Sequence, residues 1–142
     1  MVWNNSLNTG NQRVDQEHKE LFNMVTKMLE LDTDQIGDKH LAERKGKIEN
    51  AVKFMGDYTV KHFAHEEELM TECKYPSKAE HVAEHKAFFP VFEDLKKKIL
   101  DEGATLAISL EVNSVLVKWL TNHIMNSDKK LAAHYKSTTG KN

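Results

Sequence analysis

Apolar side chains recur along this chain at alternating steps of four and three residues, the pattern of helices that each bury one stripe. From about Val14 to Leu31 the stripe reads Val14, His18, Leu21, Val25 and Met28. From about Lys39 to Met70 it reads Ile48, Val52, Met55, Thr59, His62, Glu66 and Leu69. A third stripe carries His81, His85, Phe88, Phe92, Leu95 and Ile99, and a fourth Val112, Leu116, Trp119 and His123. No strand-like alternation of useful length interrupts them. These four amphipathic segments predict an all-α fold, an antiparallel up-down-up-down four-helix bundle with short loops.

The punctuation agrees. Asp32 to Asp38 reads as a loop, and Thr71 to Pro76 as a break, after which Ser77 and Glu80 are spaced as a capping box for the third helix. Pro90 should kink that helix, because it cannot donate to the carbonyl of Lys86. Gly103 suits the left-handed position just past a helix end, and the fourth helix should begin within Thr105 to Ser109. The arm 1–13, with Trp3 and Leu7, is expected to pack back on the bundle, and the tail 136–142 to fray. Residues 1–142 therefore predict a single domain, a size that buries a proper core without staples.

Composition adds limits. Hydrophobic residues make up 39% and charged residues 30%, and the formal charge is −2. The run Lys96 to Lys98 is offset by Glu93, Asp94, Asp101 and Glu102, so no basic footprint for nucleic acid arises. No apolar run approaches the ~20 residues that span a bilayer, and the N-terminal stretch lacks a leader pattern. The single cysteine, Cys73, permits no internal disulfide and reads as a loop thiol in a reducing compartment. A cytoplasmic monomer is expected.

The stripes contain residues that an oily interior should reject. Each helix contributes histidine to its inward face: His18, His62, His81 with His85, and His123. Left unpaired, such buried polar groups would cost about 1–3 kcal/mol each, together comparable with the stability of a whole domain. A metal satisfies them together, since neutral imidazole and carboxylate are ligands that intermediate divalent metals accept. His62 with Glu66, and His81 with His85, stand four apart on shared faces. Asp128 lies five after His123, about 140° around a regular helix, so a π-type widening is predicted between them. Five imidazoles and two carboxylates exceed one tetrahedral zinc and suit two octahedral ions. With both carboxylates bridging and a solvent bridge between the ions, one position stays open.

The ordered pieces W3…L7…G10…V14-D15-Q16-E17-H18, H62-F63-x-x-E66-E67-x-L69-M70, Y75-P76, H81-x-x-x-H85 and W119-L120-x-x-H123-I124-x-x-x-D128 resemble the hemerythrin family, its bacterial members in particular, along nearly the whole chain. That resemblance implies two iron ions: His81, His85 and His123 on one, His18 and His62 on the other, with Glu66, Asp128 and a hydroxide or oxide bridging. It further implies that dioxygen binds end-on at the two-histidine iron, takes up two electrons and a proton, and reverses both on release. Phe88, Trp119, Leu120 and Ile124 are implied as the lining of an apolar oxygen pocket.

The absence of any Glu-x-x-His motif separates the chain from carboxylate-rich di-iron enzymes, so reversible dioxygen binding for storage, delivery or sensing is expected rather than catalysis. A di-iron enzyme reducing peroxide or nitric oxide is the alternative, and a metal-free interaction module is disfavoured by its buried polar groups. No delivery partner is legible. His65 falls off the stripe and reads as flanking or surface. His40, His134, Glu67 and Glu68 read as solvated.

Overall fold

The computed structural model describes residues 4–30, 41–103 and 106–141. A 3₁₀ turn at Asn5–Leu7 precedes α1 (Gln12–Glu30), α2 (Leu41–Glu72), α3 (Lys78–Glu102), α4 (Leu106–His123), a π-helical turn at Ile124–Asp128, and α5 (Lys129–Thr139). Since α4, the π turn and α5 run on without a break, they form one rod. Four rods then close a bundle in which α1 packs on α2, α2 on α3, α3 on α4, and α4 back on α1. No strand occurs among the described residues.

Local chemistry explains the helix ends. Asn11 caps α1, its Oδ1 accepting the Val14 N–H at 3.0 Å. Asp15, in the first turn, accepts from the Thr9 N–H at 2.8 Å and the Thr9 hydroxyl at 2.7 Å, which ties the arm to the helix start. Leu7 is buried as expected, whereas Trp3, the loop Asp32 to Asp38 and His40 lie outside the described residues, as do the side chains of Met28 and Ile48. Gly103 (φ 80°) ends α3 with its N–H on the Ile99 carbonyl.

Two expectations need correction. Ser77 precedes α3, but its side chain makes no capping hydrogen bond. Helix α3 runs on through Pro90, which sits exposed on the solvent side, where a missing N–H is least costly. The tail does not fray after Tyr135: α5 extends to Thr139, Gly140 (φ 74°) closes it, and the Tyr135 hydroxyl donates to Glu72 at 3.0 Å.

The stripes meet in layers. One apolar cluster includes Leu21, Phe22, Val25, Val52, Met55, Phe88, Phe92, Leu95, Ile99, Val112, Leu116 and Leu120. A smaller one, at the other end, includes Val14, Leu69, Met70, Cys73, Leu131 and Tyr135. Cys73 lies in the turn between α2 and α3 as expected, but its thiol is buried in this cluster, and His134 is half-buried with Nε2 3.1 Å from the Cys73 carbonyl. Helices α2 and α3 approach closely at Gly56, where a Cβ would stand 3.1 Å from Phe92 Cε1. Among the described residues no helix is long and apolar enough to cross a membrane.

Candidate metal centre

Between the two apolar clusters lies a polar layer. On α1, His18 falls between Val14 and Leu21, and on α2, His62 and Glu66 fall between Thr59 and Leu69, so the same periodicity that builds the core points them inward. On α3, His81 and His85 share one face a turn apart. The fourth rod brings His123 and Asp128 together through the π turn, in which the Lys129 N–H bonds the Ile124 carbonyl five residues back. The widening predicted between them is present.

All seven residues are buried, with Glu66 at 0% and His18, His85 and Asp128 at 1% exposure. Their ligand atoms form two groups, each within 4.8 Å: Glu66, His81, His85, His123 and Asp128 in one, His18, His62, Glu66 and Asp128 in the other. Glu66 and Asp128 belong to both. In the first group Asp128 Oδ1 stands 2.9 Å from His81 Nε2 and 3.0 Å from His123 Nε2, and those two nitrogens are 3.2 Å apart. Glu66 Oε1 is 3.0 Å from His85 Nε2. In the second group Asp128 Oδ2 is 2.9 Å from His18 Nε2, and Glu66 Oε1 is 3.6 Å from His62 Nε2.

These spacings fit metal ions. Neighbouring ligands on an octahedral ion with bonds near 2.1 Å stand about 3 Å apart, the separation found among His81, His123 and Asp128. Glu66 Oε2 has no hydrogen-bond partner among the described residues and comes no closer to His18 Nε2 than 3.8 Å. A fully buried carboxylate oxygen left so is costly unless a cation meets it. The donors are nitrogen and oxygen, with no thiolate in either group.

The charges respond to one another. Burial opposes the ionisation of Asp128, yet His123, His18 and His81 hold its carboxyl well below the usual range. Burial also opposes the cation on His123, but Asp128 and then Glu66 outweigh it, pushing that imidazole up to about 10. His62 is raised likewise, burial being outweighed by Glu66, Glu17 and Asp128. Without metal, the raised His123 and His62 would pair as cations with the lowered Asp128 and Glu66.

An outer ring of carboxylates faces the far ring nitrogens: Glu17 Oε1 is 3.0 Å from His62 Nδ1, Glu67 Oε2 3.0 Å from His85 Nδ1, and Glu84 Oε2 3.3 Å from His123 Nδ1. Ser127 donates to Glu84. Two expectations fail here. Glu67 is not a purely solvated charge, and His65 is buried, its Nδ1 2.8 Å from Glu17 Oε1. Glu17 and Glu84 escaped the sequence reading because neither lies on a stripe. For Glu17 two signals were available: it directly precedes a stripe histidine and it belongs to the piece V14-D15-Q16-E17-H18.

On the apolar side, Phe88, Leu120 and Ile124 are buried and Trp119 is half-buried. Trp119 stacks on His123 at 4.7 Å and 16°, and Phe88 lies 4.7 Å from Trp119. Phe63, which the stripe did not single out, stacks on His85 at 3.9 Å and 4°.

A family model described as the hemerythrin HHE cation binding domain matches residues 9–135. A bacteriohemerythrin of Stenotrophomonas maltophilia is 30% identical over 140 residues, covering 96% of this chain and 82% of that protein. Another from Pseudomonas aeruginosa is 32% identical over 128 residues, covering 90% and 76%. A crystal structure of wild-type hemerythrin superposes with a TM-score of 0.75 at 29% identity, covering 95% of this chain and 97% of that one. With the match spanning all four rods and the buried histidine and carboxylate layer in place, the chain belongs to the hemerythrin family.

Proposed function

We propose that this protein binds dioxygen reversibly at a non-haem di-iron centre, with His81, His85 and His123 holding one iron, His18 and His62 the other, and Glu66 and Asp128 shared. The observation that carries this reading is the presence of both fully buried carboxylates in each of two overlapping donor groups. Three imidazoles on one side and two on the other leave the sides unequal, so an incoming ligand has one place to go. A bound ferrous pair would supply two electrons to dioxygen and recover them on release.

The residues of the chain govern everything else. Glu17 and Glu67 hold the Nδ1–H of His62 and His85, which turns each Nε2 lone pair toward the centre. Phe88, Trp119, Leu120 and Ile124 form an apolar wall that excludes water and offers no proton donor to a reduced oxygen species, apart from the Trp119 indole. That restraint, together with neutral imidazoles in place of extra carboxylates, favours release over further reduction.

The reading is tested by cycling reduced protein between air and vacuum. Recovery of the starting absorption spectrum over repeated cycles, with little hydrogen peroxide accumulating, supports carriage. Steady turnover of hydrogen peroxide or nitric oxide with a reductant, faster than autoxidation, identifies an enzyme instead.

A further inference from the structure

Building on the di-iron reading, we propose that His65 and Glu17 are a positioning pair for the two-histidine side of the centre. His65 holds the Glu17 carboxylate in place, and that carboxylate fixes the ring and tautomer of His62.

One oxygen carries the arrangement: Glu17 Oε1 stands 3.0 Å from His62 Nδ1 and 2.8 Å from His65 Nδ1. An ionised carboxylate only accepts, so both Nδ1 atoms donate, and the lone pair of His62 is left on Nε2, which faces Glu66. His65 belongs to neither donor group, yet it is 8% exposed. A buried imidazole three residues from a candidate ligand, on the same helix, has the Glu17 carboxylate as its partner. The bond spans two helices, α2 supplying both donors and α1 the acceptor.

Glu17 is also the next residue in the chain to His18. It therefore touches one candidate ligand of this side by hydrogen bond and adjoins the other through the backbone. The remaining outer carboxylates differ from it. Glu67 and Glu84 have side chains 35% and 47% exposed, against 16% for Glu17, and each serves the three-histidine side. Arg13 Nε, 3.9 Å from Glu17 Oε2 on a side chain 70% exposed, adds little. The side with fewer imidazoles thus has the better-shielded support.

The test uses metal-free full-length protein titrated with cobalt(II) in the absence of dioxygen, following the visible bands of the two bound ions. Glu17→Leu should weaken one of two binding steps by about 10- to 100-fold and spare the other. His65→Leu should weaken that same step by about threefold to tenfold. The double variant should be no weaker than Glu17→Leu alone, because His65 acts through Glu17. His65→Gln, whose amide still donates, should regain part of the loss. If Glu17→Leu does not fold, the comparison of His65→Leu with His65→Gln decides. A His65→Leu variant that weakens both steps equally, or neither, overturns the proposal, as do additive losses in the double variant. Wild-type protein that takes up a single cobalt ion overturns the two-metal reading and this pair with it. Failure to bind dioxygen reversibly contradicts the proposed function and leaves the cobalt result standing.

Discussion

His123 Nε2 stands 3.0 Å from Asp128 Oδ1 although the two residues are five apart, and the π turn at Ile124–Asp128 is what brings them together. In that turn five residues span what four would in a regular helix, since the Lys129 N–H bonds the Ile124 carbonyl. Deleting Asn126 should let the turn close to a regular helix and leave α5 near its present rotation, with Leu131, Ala132 and Tyr135 still on the buried side. Urea unfolding should then show a change of no more than about 2 kcal/mol. A loss of more than about 4 kcal/mol would show that the widened turn itself holds α5 in place.

Leu120 is 3% exposed, belongs to the larger apolar cluster and precedes His123 by three residues on α4, without offering a ligand atom itself. Leu120→Ala should destabilise the fold by about 2–5 kcal/mol and admit water, so autoxidation should quicken while iron content stays near that of the parent. Colorimetric iron assay alongside stopped-flow oxygen binding checks this. Loss of metal would contradict the pocket role.

The ion pairs of the metal-free layer predict a pH dependence. His123 and His62 are raised above the ordinary imidazole value of 6.5, so their contribution to stability is complete below about pH 6.5 and lost as pH rises through the folded values, that of His123 toward 10. Asp128 and Glu66 are lowered, so theirs is present above the ordinary carboxylate range and lost as pH falls through the folded values. Metal-free protein should therefore melt at a lower temperature at pH 9 than at pH 6. Metal uptake needs neutral imidazoles, so it should release at least about one proton at pH 7 and tighten about tenfold per pH unit below 10. Calorimetric titration in buffers of differing ionisation enthalpy measures that release. No release would mean that the imidazoles are already neutral.

Much of this architecture was legible in the residues, because burial imposes a period that the chain must repeat. On α3 the expected stripe His81, His85, Phe88, Phe92, Leu95 and Ile99 is the set that the helix buries. Six of the seven inward polar residues were visible for the same reason, as violations of an apolar stripe, whereas Asp128 lay off the stripe and its five-residue step from His123 announced the distortion that brings it in. What periodicity does not carry is a bond between helices. Glu17 pairs with His62 and His65 across 45 and 48 residues of sequence, and its place beside His18 on α1 does not name those partners. His65 was misread because a residue off the stripe can still be buried when a neighbouring helix covers it. The Ser77 capping box failed because spacing supplies the residue types without guaranteeing their rotamers.

Two iron ions gathered by these seven side chains and binding dioxygen reversibly are tested together by the iron count of purified protein and the visible spectrum of the reduced form before air, in air, and after oxygen is withdrawn. Roughly two irons per chain are expected from the donor set, with a charge-transfer band that appears in air and fades on deoxygenation. A colourless protein without iron, or a colour that persists once oxygen is removed, would contradict the account.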